Sequence, residues 1–482
     1  MAPCAPSRYL EGVIPEDVIS EIKRRADIAA VIGRSIKLKK VGKNLVGLCP
    51  FHNEKTPSFN VHPDEGFFYC FGCKATGDVV SFLERTTGRG FLDIVTELAE
   101  QTGIELPKTE MSPEEAARQA EKKRVLRALE LAQVFFRTRL TADEGKPARA
   151  YLGDVRKIDD ASVDRFGLGF GGARDDGLAT FLVEQGVSID DAVAAGVCSK
   201  NERGAYDFFR HRVTIPIRDV RGRVVSFQGR IFGERELTPD GTKRPKSVNG
   251  PQSAVYDKSQ VLFGLHEALP ALKRAGSGWE GAAILVEGPL DAIAVFRCGV
   301  AAAVAPCGTG MTPRHVDEIA QKTERVVVCL DADKAGKDAA ARAILMFLQR
   351  GLDVGLVALP DKDPDSLVQA GRADELRGLI LGAPSALDAM IAKAREKATG
   401  NVRARVQALD ALLPFLAAPA RDLVRSEAIK QVARAFNEEP SIIQADVDKR
   451  GRKVLGDRLR GIKPEPKRAP PAQTPGHEQA HG

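Results

Sequence analysis

The chain has 482 residues, 43% of them apolar and 28% charged, with a net charge of +6. These proportions fit a soluble globular protein of about three domains at roughly 150 residues each, and no apolar run nears the roughly 20 residues that cross a bilayer. No signal-peptide pattern opens the sequence, so a cytoplasmic, reducing setting is expected, in which structural disulfides are rare.

First in chain order come CPFH at 49–52 and CFGC at 70–73, which hold three of the eight cysteines and one of the seven histidines. The spacing Cys49-x2-His52 followed by Cys70-x2-Cys73 puts two ligand pairs on tight turns that can converge on one Zn²⁺. Four protein ligands leave no open position for a catalytic water, so the expected site is structural. Around the pairs stand Phe51, Phe59, Phe67, Phe68, Tyr69 and Phe71, with Lys55 nearby and Lys37, Lys39, Lys40 and Lys43 upstream. A small ribbon has little core of its own, so most of these rings are expected to pack around the metal. The other reading has one or two of them stacking on bases while the lysines track phosphates. A ribbon has two faces, and both readings can hold.

GLGFGG at 167–172 has the look of a phosphate loop, but no clear strand precedes it and no suitable helix follows, so a turn is expected. No P-loop of the G-x-x-x-x-G-K-[ST] type occurs, which excludes a motor ATPase of that class. Residues 200–260 carry thirteen Lys/Arg against seven Asp/Glu. In FFRHRVTIPIRDVRGRVVSFQGRIF the basic residues interleave with apolar alternation around an Arg-Gly turn at 221–222. Arg210, Arg212, Arg218, Arg223 and Arg230 are therefore expected along one sheet surface or rim that suits a polyanion. The bland alternative is a solvated face. His211, His266 and His315 are read as structural residues, and the scattered Cys4, Cys198, Cys298, Cys307 and Cys329 as reduced thiols.

Further on, strands and helices alternate. AAILVEGPLDAIAVFRCG, RVVVCLDADKAGKDAAARAILMFLQRG and DVGLVALPDKDPDSLVQAG each read as an apolar strand, a sharp turn and a helix, which implies a parallel sheet buried on both faces. Glu287, Asp331, Asp333, Asp361, Asp363 and Asp365 fall at the carboxyl ends of these strands, the edge where open α/β sheets build their sites. Clustered like charges cost stability unless a cation neutralises them, and Mg²⁺ suits oxygen-only ligands. Two such ions ~4 Å apart activate a hydroxyl and hold a leaving phosphate. The competing reading makes each acid a helix cap. One acid per strand end would suit it; the pairs Asp331-x-Asp333 and Asp363-Pro-Asp365 suit it badly.

Taken together, these residues resemble the bacterial replicative DNA primase family. CPFHNEKTPSFNVHPDEGFFYCFGC resembles its zinc-binding domain. FRHRVTIPIRDVRGRVVSFQGR with RPKSVNGP resembles its basic polymerase subdomain. VEGPLDAIAV, CGTGMTPRHV, LDADKAGKDAA and DKDPDSLV resemble the Toprim fold shared with topoisomerases. The resemblance runs over roughly residues 10–385 in the family's order. It implies a multidomain α/β chain with a zinc ribbon at 1–105, a mixed α+β basic subdomain at 106–270 and a parallel α/β Toprim subdomain at 271–383. A helical subdomain at 384–450 and a disordered basic tail at 451–482 complete it.

The implied activity is synthesis of short RNA primers on single-stranded DNA during replication, by two-metal nucleotidyl transfer. Carried over by position, Glu287, Asp331 and Asp333 are the metal-binding acids, with Asp363 and Asp365 completing the catalytic cluster. Arg212, Arg230, Lys246, Asn249 and Lys258 are the nucleotide- and template-binding set. The implied cofactors are one structural Zn²⁺ and about two catalytic Mg²⁺ or Mn²⁺ ions. The implied partners are a single-stranded DNA template and ribonucleoside triphosphates, with no membrane and a monomeric chain. The family's separate helical domain for docking the replicative helicase is not recognisable, which leaves helicase recruitment open and fits a truncated, plasmid- or phage-type relative. Other departures are Pro289 after Glu287-Gly288, a longer segment between Arg230 and Lys246, Ser247 where an aromatic is common, and no glycine in LPDKDPDS. Two rival readings are a Toprim nuclease or topoisomerase and a non-catalytic single-strand-binding factor. None of the five tyrosines has a topoisomerase-like context, and a mere binder gains nothing from carboxylates facing phosphates.

Overall fold

Alternation along short β-branched and aromatic runs builds the first sheet. The computed structural model describes residues 14–460 apart from 53, 55, 88–89, 107–111, 175, 203, 234–243 and 273–277. Expectations about Cys4, Lys55, the loop before Lys246 and the tail beyond 460 thus fall outside the described residues. β1 (Lys39–Val41), β2 (Asn44–Gly47), β3 (Phe59–His62), β4 (Phe67–Cys70) and β5 (Thr76–Asp78) form an antiparallel meander in chain order. Paired residues share a face. Leu45, Val61 and Phe68 therefore point one way, and Lys39, Val46, Asn60, Tyr69 and Thr76 the other. Phe59 and Phe68 are wholly buried and stack at 5.0 Å. Phe51 joins them at 5.6 Å, and Phe82 of the helix Val79–Thr87 meets Phe68 edge-on at 5.8 Å. On the outer side Phe67 stacks on His62 at 4.3 Å, and Phe71 is 59% exposed. The packing reading holds for the inner rings, while the outer face leaves Phe71 exposed.

Next, a capping box of Ser112 and Glu115 starts the long helix Pro113–Thr141. β6 (Gly169–Phe170) follows, then the hairpin of β7 (Cys198–Asn201) and β8 (Gly204–Asp207). β9 (Arg212–Arg218), β10 (Val224–Ile231) and β11 (Ser247–Asn249) join β6 in a sheet of order β11-β10-β9-β6. Phe136 of the long helix meets Phe227 of β10 edge-on at 5.0 Å. GLGFGG is not only a turn. Gly169 pairs with Thr214 of β9, and the position needs glycine because a Cβ there would lie 2.6 Å from that of Phe136. The 221–222 turn forms as expected, with Asp219 accepting from the amides of Arg221 and Arg223 at 3.0 Å each.

The expected arginine surface is narrower than alternation suggested. Arg212 is 8% exposed and turned inward, Arg218 is paired with Glu267 at 2.7 Å, and Arg223 is paired with Asp219 at 2.7 Å. Period-two alternation assigns a face but does not say whether that face is covered.

Five more strands make the third sheet: β12 (Leu262–Phe263), β13 (Ala283–Leu285), β14 (Ala303–Pro306), β15 (Arg325–Val328) and β16 (Asp353–Leu356), in the order β12-β14-β13-β15-β16. The last four are parallel, and β12 runs antiparallel along the edge. Ile284, Leu285, Val304, Val326, Val327 and Val328 are wholly buried, as crossover helices on both faces require. The expected parallel sheet is present with one strand more than the sequence pattern announced. β14 is short and alanine-rich, and so lacks the β-branched signature. Pro289 and Pro364 sit at the first positions of the helices Pro289–Arg297 and Pro364–Gln369, where a missing N–H costs nothing.

A second compact unit begins at Leu387. Its helices Val402–Ala417, Asp422–Phe436 and Pro440–Asp446 pack Leu412, Leu416, Val432 and Phe436 into their own core. Helix continues through Arg452–Leu459, beyond the border expected at 450.

Phe68 and Phe71 lie three residues apart in opposite environments, which gives a direct test. Phe68→Ala should lower unfolding stability by about 3–5 kcal/mol, while Phe71→Ala should stay within about 0.5 kcal/mol of wild type. Comparable losses in denaturant melts would contradict the two-faced ribbon.

Candidate functional site

The Cys/His window is decided by distance. The Cys49 and Cys73 sulfurs lie 3.8 Å apart, and Cys70 Sγ lies 3.7 Å from His52 Nδ1. A disulfide needs about 2.05 Å. The edge of a tetrahedron with Zn–S bonds of ~2.3 Å is ~3.8 Å. All four ligand atoms lie within 4.8 Å of one another, so the set fits Zn²⁺. The amides of Phe51 and Cys73 point at the Cys49 and Cys70 sulfurs, at 3.4 and 3.5 Å. With Nδ1 on the ligand side, His52 Nε2 meets Glu54 Oε2 at 3.1 Å. Glu54 also accepts from the Cys49 amide at 2.7 Å and the Ser58 amide at 3.1 Å, and Ser58 Oγ lies 3.3 Å from Cys70 Sγ, which ties both halves of the site together. Sequence reading missed Glu54. Its place two residues after a ligand histidine was the available signal.

The acids gather at the carboxyl edge of the third sheet. Glu287 follows β13, Asp331 and Asp333 follow β15, and Asp363 and Asp365 follow β16. The cap reading holds for two of these acids. Asp333 Oδ1 accepts from the Gly336 amide at 2.8 Å and Asp363 Oδ1 from the Ser366 amide at 2.7 Å, each starting its helix. Asp365 is buried, paired with Arg156 at 2.5 Å, and accepts from Gln369 Nε2 at 2.7 Å. Asp291, one helical turn beyond Glu287, belongs to the same group; spacing of i, i+4 was the signal passed over.

The acids stand in one another's fields. Burial, then the charges of Glu287, Asp363 and Asp333, push the Asp331 carboxyl up to about 6. Burial, then Asp363, Asp331 and Asp365, push Asp291 up to about 8. Glu287 is raised by burial and by Asp333 and Asp363. For Asp363, burial is outweighed by Ser366 and Lys362, and its carboxyl lies below the ordinary range. Asp331 Oδ1 is buried without a hydrogen-bond partner. Among the described residues only the Cys/His set brings three or more ligand atoms within 4.8 Å of one another. The wider oxygen-only spacing of the acids suits hard cations that keep waters and take further ligands from phosphates. Gly336 is needed for this approach, since a Cβ there would lie 2.3 Å from Asp331 O and 2.9 Å from Glu287 Oε1.

Opposite charge comes from the second sheet. Arg212 Nη1 donates to the carbonyls of Pro245 at 3.0 Å and Lys246 at 3.4 Å, and so braces the backbone that carries the exposed Lys246. Burial, then Arg244, Arg210 and Arg230, lower the Arg212 pKa, the mark of an electropositive patch. Arg230 donates to Ser247 Oγ at 3.2 Å, and its Nε is buried without a partner. Asn249 accepts from Gln228 Nε2 at 3.0 Å and faces the turn after β14. There Gly308, at φ +80°, leaves room for it; a Cβ would lie 2.4 Å from Asn249 Nδ2. Half-buried Lys258 precedes β12 and adds its charge beside Cys307, at the same carboxyl edge as the acids. Of the predicted nucleotide- and template-binding set, Arg212 braces from within, Arg230 holds Ser247, Lys246 is exposed, Asn249 meets the turn after β14, and Lys258 precedes β12. His266 Nδ1 lies 3.3 Å from Val220 O, the structural role expected of it.

Comparison with known proteins matches residues 14–114 to the CHC2 zinc finger family, 135–269 to the N-terminal domain of the DNA primase catalytic core, and 284–368 to the Toprim-like family. A DNA primase of Halalkalibacterium halodurans is 33% identical over 433 residues, spanning 88% of this chain and 69% of that relative. The zinc-binding and RNA polymerase domains of the Aquifex aeolicus primase match with a TM-score of 0.57 at 30% identity, over 88% of this chain and 98% of theirs. A primase catalytic domain bound to single-stranded DNA matches with a TM-score of 0.57 at 26% identity, over 67% of this chain and 99% of that one. With the zinc ribbon, the basic core and the acidic sheet edge in this order, the chain belongs to the DNA primase family.

Proposed function

We propose that the chain is a nucleotidyltransferase that joins ribonucleotides into primers on single-stranded DNA at the carboxyl edge of its third sheet. The observation that carries this is the meeting of carboxylates from three strand ends with a buried, unpartnered oxygen on Asp331 and too little positive charge among them. Oxygen-only donors in that state fit divalent cations. Glu287, Asp331 and Asp333 would hold them, with Asp363 and Asp365 completing the cluster. Bound there, Mg²⁺ or Mn²⁺ supplies neutralisation of phosphate charge and a more acidic attacking hydroxyl.

The chain's own residues do the rest. Lys246 and Lys258 balance triphosphate charge as point cations, and Arg230 and Asn249 orient nucleotide and template. Asp365, locked by Arg156 and Gln369, sets the position of its turn. The single-stranded DNA on one of the matching catalytic domains supports a template of that kind. The outer ribbon face, with Tyr69, Phe67, Phe71 and the exposed Lys39, suits stacked bases and tracked phosphates, and exposed Lys40 and Lys43 add charge at its edge strand and turn. The zinc set is structural.

Incubation with single-stranded DNA, labelled ribonucleoside triphosphates and Mg²⁺ should yield short oligoribonucleotides. Asp331→Ala and Glu287→Ala should each lower yield by about 100-fold or more while DNA binding persists. Nicked DNA in place of RNA would point to a Toprim nuclease, and binding with no product to a single-strand-binding factor. Gly336→Ala should impair synthesis in the same assay by forcing Asp331 and Glu287 apart. At the ribbon, exposed Cys73→Ser should release zinc in a metal assay, and Glu54→Gln should weaken zinc retention by about 10–100-fold. Full zinc content in both would contradict the assigned ligand shell.

A further inference from the structure

The helix Pro313–Ala320 begins on the loop that carries Lys258 and grips it at several points. Thr309 Oγ1 donates to Lys258 O at 3.3 Å, and Thr312 Oγ1 donates to Ser259 O at 2.5 Å. Arg314 Nη1 donates to Asp257 Oδ2 at 2.6 Å and to Ser259 Oγ at 3.1 Å, while its Nη2 donates to Gln260 Oε1 at 2.5 Å. Gln260 in turn donates to Glu318 Oε1 at 2.7 Å, one turn further along the helix. His315 is wholly buried, its Nδ1 accepts from the Thr312 amide at 3.3 Å, and its imidazole lies against the Lys258 and Val261 backbone. Burial holds its pKa down at about 4, so the ring stays neutral and adds no charge beside Lys258.

Topology explains why this loop matters. β12 runs antiparallel to β14, with Leu262 opposite Pro306, so the start of β12 lies at the edge where the parallel strands end and the acids sit. Lys258 is four residues upstream of that start. A lysine side chain keeps large rotamer freedom, and a fixed backbone beneath it is the available way to limit where its charge goes. The six hydrogen bonds above between this segment and residues 257–260 hold four consecutive positions of the loop.

We infer that Thr312, Arg314 and His315 are positioning residues which clamp the 257–260 loop so that Lys258 meets the triphosphate of the incoming ribonucleotide. This rests on the proposed role of Lys258 as a triphosphate cation, and the test separates the two. Single-nucleotide extension of an RNA primer annealed to DNA, with the zinc-loaded full chain, gives KM for the ribonucleoside triphosphate and kcat. Half-exposed Arg314→Ala should raise KM roughly five- to thirtyfold with kcat and melting temperature near wild type. Arg314→Lys should not restore it, because a point charge cannot bridge Asp257 and Gln260 at once. Thr312→Val should act in the same direction. Lys258→Ala should raise KM at least as far, and the double variant with Arg314→Ala should be no worse than Lys258→Ala alone. A wild-type KM in Arg314→Ala and Thr312→Val, or multiplying effects in the double variant, overturns the clamp while leaving Lys258 its role. A wild-type KM in Lys258→Ala overturns both.

Discussion

Negative charge forced together at one edge of a sheet is the constraint on which the active unit turns. Three parallel strands, β13, β15 and β16, end on the same side, and each delivers at least one carboxylate there. In a partly buried setting such charges repel far more strongly than in water, and burial first, then that repulsion, raises the carboxyls of Asp331 and Asp291. Lys362 and Arg156 offset only part of it. The edge holds because the buried Val/Ile/Leu strands beneath are indifferent to charge, and because Asp333 and Asp363 each commit one oxygen to a helix cap. The caps are therefore part of the site: they aim the remaining oxygens.

In the proposed reading such an edge is half of a phosphate-handling site, and the second sheet is the other half. Arg212 lies inward among Arg210, Arg230 and Arg244 with its own charge disfavoured, and spends its hydrogen bonds on the backbone of Lys246. Asn249 reaches the turn at Gly308, where the two sheets' loops meet. A polyanion with bound divalent cations satisfies both halves at once, each cancelling what the other cannot. The same economy appears in the ribbon, where alternation sends Phe59 and Phe68 inward around the metal turns and leaves Tyr69 and Phe71 outside.

Local signals made much of this legible in advance. The zinc ligands are two pairs at fixed spacing, and the acids stand directly after apolar runs, so each could be found within a short window. What escaped was long-range. Arg156 reaches Asp365 across 209 positions, and no window contains both. β14, an alanine-rich strand of four residues, gains its strand character only from its neighbours. Asp291 was within reach of a periodicity argument, but its helix reads as apolar and the acid as an ordinary first-turn residue. Arg212 shows the limit of alternation, because burial on that face is decided by the segment 245–246 folding over it.

The central claim is that the carboxyl edge gathers divalent cations, and the direct measurement is anomalous scattering from crystals of the zinc-loaded chain soaked in Mn²⁺. Manganese peaks should appear beside Glu287, Asp331 and Asp333 and vanish in crystals of Asp331→Asn. Manganese confined to other surfaces, or an acidic edge occupied only by side chains folded back on one another, would contradict it.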